Sequence, residues 1–357
     1  MRRARKGTAS AQALALLLAG SMALAACARD EPAGSGGGGG DSAPEELRVG
    51  LAYDTGGRGD RSFNDSAYAG AAAATDALGG ELQELSPNED ASDRAQLLSQ
   101  LAEQGFNPVI AVGFNYDDVI AEVAPQFPDT TFAQVDGSNS DGAKGDNVTG
   151  LIFAEEEGSF LAGVAAALKS ESGHIGFVGG VESPLIQKFE AGYAAGAQAV
   201  NPQIVVDRQY ISPAGDFSGF NDPARGQIVA QGMYDNGADI VYHAAGGSGI
   251  GVFQAAAGSG NRAIGVDSDQ YLTVTDPALQ AVIITSMLKR VDNAVEQFIN
   301  DYAEGNAKGA TDVLNDLSTE GIGLATSGGF IDDIQEDLER YEQQIIDGTI
   351  TVPTTVE

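Results

Sequence analysis

Carboxylates beside turn-forming residues recur along this chain, at Asp54-Thr55-Gly56-Gly57, Asp136-Gly137 and Asp267-Ser268-Asp269-Gln270. An ionised carboxylate accepts hydrogen bonds and cannot donate them. Three such groups converging on one crevice therefore suit a small polar ligand with several hydroxyls or ring N–H donors. Asp54 and Asp136 would serve equally well to cap turns before glycine. Corners at Gly113-Phe114 and at Ala244-Ala245-Gly246-Gly247 complete the set. Catalytic patterns are sparse by comparison. His174 and His243 are the only histidines and Cys27 the only cysteine. The chain has no Gly-x-Ser-x-Gly elbow, His-Glu-x-x-His or Cys/His metal spacing. Asp267-Ser268-Asp269 offers too few oxygens for a calcium ion, which takes about six or more. Gly176-x-x-Gly179-Gly180 lacks the full dinucleotide-binding pattern. The expectation is a binding site with no metal and no cofactor, with both histidines in or beside strands and satisfied by backbone.

These residues matter because of where the elements end. Short apolar runs at Leu47 to Tyr53, Leu82 to Leu85, Val109 to Val112, Thr131 to Val135 and Thr149 to Phe153 read as strands. Between them lie helical patterns, a small-residue helix from Ser62 to Leu78 with Ser62 as its cap and one near Ser92 to Gln104. The rhythm restarts after Glu157, with strands at Ile175, Ile204, Ile240 and Ala263 and a helix near Pro184 to Val200. Ala281 to Thr285 reads as a further strand and Met287 to Tyr302 as a helix. Alternation of this kind predicts an α/β fold of two Rossmann-like lobes, each a parallel sheet covered on both faces. Open parallel sheets bind ligands at the carboxyl ends of their strands, which is where the aspartates and glycine corners fall. The lobes are expected to comprise residues 47–151 with about 284–323, and 152–283 with about 324–357.

Composition narrows the partners. The 357 residues carry 19 Lys and Arg against 51 Asp and Glu, a formal net charge of −32, which repels phosphate backbones and excludes a nucleic-acid-binding role. Four of the cations, Arg2, Arg3, Arg5 and Lys6, precede an apolar run from Ala11 to Ala26, so residues 1–26 read as an export signal. Leu24-Ala25-Ala26-Cys27 resembles a lipobox, in which the cysteine sulfur is acylated and becomes the anchor. Residues 27–46, with the run Gly36 to Gly40, read as a flexible tether. The expected place is the extracytoplasmic face of a bacterial membrane, as a lipid-anchored monomer.

Beyond these patterns, Gly56-Gly57-Arg58-Gly59-Asp60-Arg61-Ser62-Phe63-Asn64-Asp65-Ser66-Ala67-Tyr68-Ala69-Gly70 resembles the opening signature of the basic membrane protein family of bacterial substrate-binding lipoproteins, the purine nucleoside receptor group. Gly150 to Gly163, Ile264 to Gln270 and Thr285 to Lys289 match it as well, in order, across about Leu47 to Val352. The resemblance implies a type I periplasmic-binding-protein-like fold with three crossovers, binding nucleosides for the permease of an ABC importer. It implies that Phe63 and Phe189 sandwich a purine, that Asp136 accepts from base N–H groups with Asp54 and Asn64 beside it, and that Asp267 and Lys289 hold the ribose. Gly246 and Gly247 let backbone approach the ligand. A receptor for sugars or other small polar ligands on the same fold, and a nucleoside-cleaving lipoprotein, are the alternatives.

Overall fold

The computed structural model describes residues 46–88 and 91–356. The export signal, most of the tether and Cys27 lie outside the described residues. The first part of the chain runs β1 (Arg48–Ala52), α1 (Phe63–Leu78), β2 (Glu81–Leu85), α2 (Arg94–Glu103), β3 (Val109–Val112), α3 (Asp117–Val123), β4 (Phe132–Val135) and β5 (Val148–Phe153). The second runs α4 (Glu155–Lys169), β6 (His174–Val181), α5 (Pro184–Val200), β7 (Val205–Ser212), α6 (Pro223–Asp235), β8 (Ile240–Ala244), α7 (Gly249–Ser259), β9 (Arg262–Asp267), α8 (Gln270–Thr273), α9 (Pro277–Gln280) and β10 (Ile283–Lys289). Then come α10 (Val291–Ala303), β11 (Thr311–Asn315), β12 (Ile322–Leu324) and α11 (Gln335–Ile346).

Two six-stranded sheets result, in the orders β11-β5-β4-β3-β1-β2 and β12-β10-β9-β8-β6-β7. The first is parallel throughout, and the second is parallel except where β12 runs against β10. Central strands such as Val109–Val112 are buried at every position, as expected of strands covered on both faces. The helices that cover them approach closely. A Cβ placed on Gly192 or Gly196 of α5 would lie 2.1 or 1.9 Å from the carbonyl oxygens of Glu156 or Phe160 in α4. A Cβ on Gly70 of α1 would lie 2.0 Å from that of Asp292 in α10. The Ala/Gly richness of α1, α4 and α5 therefore reflects helix contact at backbone distance.

The chain crosses between the lobes at three places: Ala154, Arg290 and the segment between β11 and β12. The second crossing corrects the sequence reading, which gave residues from about Ile284 to the first lobe and started a helix at Met287. Ile283–Lys289 is one strand paired in parallel with β9 and buried along nearly its whole length, Leu288 alone being half-buried. Lys289 therefore belongs to the second sheet, not the first lobe, and the helix begins at Val291.

Candidate functional site

The carboxyl ends of β1 and β4 face those of β8, β9 and β10 across a cavity. Asp54, Phe63, Asn64, Asp136, Phe189, Gly246, Gly247, Asp267 and Lys289 all line it.

The start of α1 sets the position of Phe63. Ser62 does not cap the helix with its side chain, contrary to the sequence reading. Asp60 does that work, accepting from the backbone N–H groups of Ser62, Asn64 and Asp65 at 3.0, 2.8 and 3.1 Å. Burial pushes the Asp60 carboxyl up to about 6. The Ser62 hydroxyl instead donates across the cleft to Asp267. Arg61, with φ of 56°, turns the chain into the helix, and its carbonyl accepts from Gln270 and Thr273 of the second lobe.

Asp136 and Asp267 terminate β4 and β9 in the left-handed region, with φ of 65° and 63°. Aspartate tolerates this conformation better than most side chains, and such strain collects at functional sites. Both carboxyl groups are buried and held above the usual range, Asp136 at about 7. Burial is the chief cause, and the ammonium of Lys289 opposes it in both. Lys289 Nζ lies 2.6 Å from Asp136 Oδ1 and 3.0 Å from Glu155 Oε1. The rings of Phe153, Phe63 and Phe189 surround this ammonium at 4.9, 5.2 and 5.5 Å, within cation–π range. Although burial disfavours its charge, these carboxylates raise the pKa of Lys289.

Asp54 is more fully occupied. Its Oδ1 accepts from Asn115 at 2.9 Å and from the backbone of Thr55 at 2.7 Å, and Arg94 stands at 3.4 Å. Asn64 in turn accepts the Asp54 N–H at 3.0 Å. These two shape the wall of the cavity while Asp136 and Asp267 face its charged end.

Sequence reasoning did not assign Asp60, Leu185, Ile186, Phe220 or Val266 to the wall, nor Phe114 beyond its strand end. Glu155, immediately after β5, obeys the same strand-end rule as the aspartates, but the sequence reading began the second half after Glu157 and passed over it, whereas α4 starts at Glu155 itself. Phe220 comes from a loop with no strand-end signal. It stands 6.4 Å from Phe114, and Phe217 stands 5.9 Å from the same ring, so aromatic contacts join the two lobes at the mouth. Each histidine meets a side chain, not backbone, through one ring nitrogen, and the buried Nδ1 of His243 has no hydrogen-bond partner. His243 meets Gln270 at 2.9 Å, with burial pushing its pKa down to about 4, and His174 meets Asp207 at 2.9 Å.

Comparison with known proteins agrees with this architecture. A crystal structure of ABC transporter system solute-binding proteins from Aeropyrum pernix K1 superposes with a TM-score of 0.75 at 28% identity, covering 87% of this chain and 94% of that one. The ABC transporter nucleoside-binding protein BmpA of Lactococcus lactis is 34% identical, over 95% of this chain and 97% of its own length. The CD4+ T-cell-stimulating antigen of Listeria monocytogenes is 35% identical over 96% and 98%. Residues 48–356 match the model of the Bmp family, described as ABC transporter substrate-binding protein PnrA-like. The chain belongs to this family, and is thus the extracytoplasmic substrate-binding partner that delivers a small molecule to an ABC transporter.

Proposed function

We propose that this protein captures purine nucleosides, with the base between Phe63 and Phe189 and the ribose against Asp267 and Lys289. The observation that carries the reading is the pairing of two phenylalanines from opposite lobes with buried carboxylates and one ammonium in a single cavity. Base–aromatic stacking contributes about 1–3 kcal/mol per base, and an ionised carboxylate takes ring N–H or ribose hydroxyl donors. The nucleoside-binding relative from Lactococcus lactis supports the same ligand class. A binding role without bond cleavage is supported by the family, whose model is described as a substrate-binding protein. The lipobox-like Leu24-Ala25-Ala26-Cys27 supports a lipid on Cys27 as the attachment, with the protein acting as a monomer.

Thermal denaturation in the presence of inosine, guanosine, adenosine, free bases, ribose and hexoses tests the ligand class. A nucleoside at 100 times its dissociation constant should add about 2.7 kcal/mol of stability, and ribose none. Stabilisation by a sugar with no response to nucleosides would assign the site to the sugar receptors of this fold, and release of free base from inosine would make it an enzyme.

A further inference from the structure

Glu155 does not line the cavity, yet its side chain is 1% exposed and carries two ion pairs. Its Oε1 lies 3.0 Å from Lys289 Nζ and its Oε2 lies 3.1 Å from Lys188 Nζ. Glu155 opens α4 directly after the first crossing, and Lys289 closes β10 directly before the second, so their contact ties two of the strands that join the lobes. Asp136, the other partner of Lys289, belongs to the first lobe. An ammonium has three donors. If Asp136 were its only counter-ion, a ligand recruiting Asp136 would strand a buried cation, which is costly.

We propose that Glu155 is a positioning residue for ligand capture: as the permanent counter-ion of Lys289, it keeps the ammonium fixed at the cavity's end when the Asp136 carboxylate turns to a bound ring. The proposal rests on the nucleoside reading above. Glu155 stands in the first turn of α4, where the helix dipole favours a negative charge. Lys188 shares that charge and thereby limits how far Lys289 is drawn from Asp136. The charged groups facing Asp136 are Lys289 from β10, Glu155 from α4 and Asp267 from β9, with Lys188 of α5 acting through Glu155. Removing Glu155 leaves Lys289 wholly to Asp136 and takes a like charge away from it. Removing Lys188 does the reverse.

Glu155→Gln and Lys188→Met therefore test the assignment together, each by calorimetry with inosine between pH 5 and 9 and by carbon-13 titration of the Asp136 carboxyl in the ligand-free protein. Glu155→Gln is expected to lose roughly tenfold in affinity at pH 8, the scale of one charge-assisted hydrogen bond. Its acid limb and the Asp136 midpoint should move to lower pH, and Lys188→Met should move both to higher pH. Unchanged affinity and limb in Glu155→Gln overturns the proposal, as does loss of affinity in both variants with neither limb moved, which is the mark of a purely structural role. Failure of the wild-type protein to bind inosine would count against the nucleoside reading; the free-protein titration then decides Glu155, and an unmoved Asp136 midpoint rejects it.

Discussion

Asp136 concentrates the chemistry of the site, because a carboxyl held near pH 7 between a lysine and two other acids is either acceptor or donor over a narrow range. Its replacement by asparagine should lower inosine affinity about tenfold or more, through loss of a charge-assisted bond of roughly 1.5–3 kcal/mol. Stability should respond as well. The folded protein holds the Asp136 proton up to about pH 7, against an ordinary carboxyl value of 3.8, so it binds more protons than the unfolded chain between those limits. The Asp136 contribution is therefore fully present below pH 4 and lost as pH rises toward 7. Urea denaturation at pH 4, 5.5 and 7.5 should show wild-type stability falling relative to Asp136→Asn across that window; parallel curves would place the Asp136 midpoint elsewhere. Asp60 and His243 titrate in the same region but are common to both proteins and cancel. At this scale the three aspartates and the glycine corner were legible from strand ends alone, and Phe63, Asn64, Phe189 and Lys289 only through family resemblance. Asp60 escaped because it sits in a turn two residues before the expected cap, away from any strand end.

Helix α5 shows how an element positions such residues. Phe189 and Lys188 lie one turn before Gly192, whose missing side chain lets α5 rest on the backbone of α4. Gly192→Ala must separate two helices because the clash is with a carbonyl oxygen, not a movable side chain. A loss of about 1–3 kcal/mol is expected, as for overpacking of a tight core, together with weaker inosine binding as Phe189 shifts. Gly232 of α6 has nothing within 4 Å of an added Cβ, so Gly232→Ala is the control and should stabilise by about 0.5–1 kcal/mol. Chemical denaturation of the two variants decides, and equal stability of Gly192→Ala and wild type would contradict the packing account. The order of strands and helices was readable from hydrophobic period, whereas the β10 boundary was not. Ser286-Met287-Leu288-Lys289 fits helical spacing as well as a buried strand, and only pairing with β9 distinguishes them.

For the whole molecule, two lobes meet over a cavity to which neither alone contributes enough walls. Phe63 and Asp136 come from the first, while Phe189, Asp267 and Lys289 come from the second. Polar contacts such as Ser268 Oγ to the Ser62 carbonyl at 3.0 Å, and the Phe114 contacts with Phe217 and Phe220, hold the lobes together around it. A ligand touching both lobes favours this arrangement by the contacts that an open one lacks. Alternation of elements in the sequence was enough to foresee two parallel-sheet lobes, because the central strands are buried on both faces and read as continuous apolar runs. Where the chain crosses between them was foreseen less well, since a crossing carries no composition of its own and β10 runs to its very edge. The most direct measurement of the central claim is a crystal structure of the wild-type protein grown with inosine. The account predicts the purine ring between Phe63 and Phe189, its edge toward Asp136, and ribose hydroxyls on Asp267 and Lys289. Inosine absent from the cavity at saturating concentration, or bound with its base away from both rings, would contradict it.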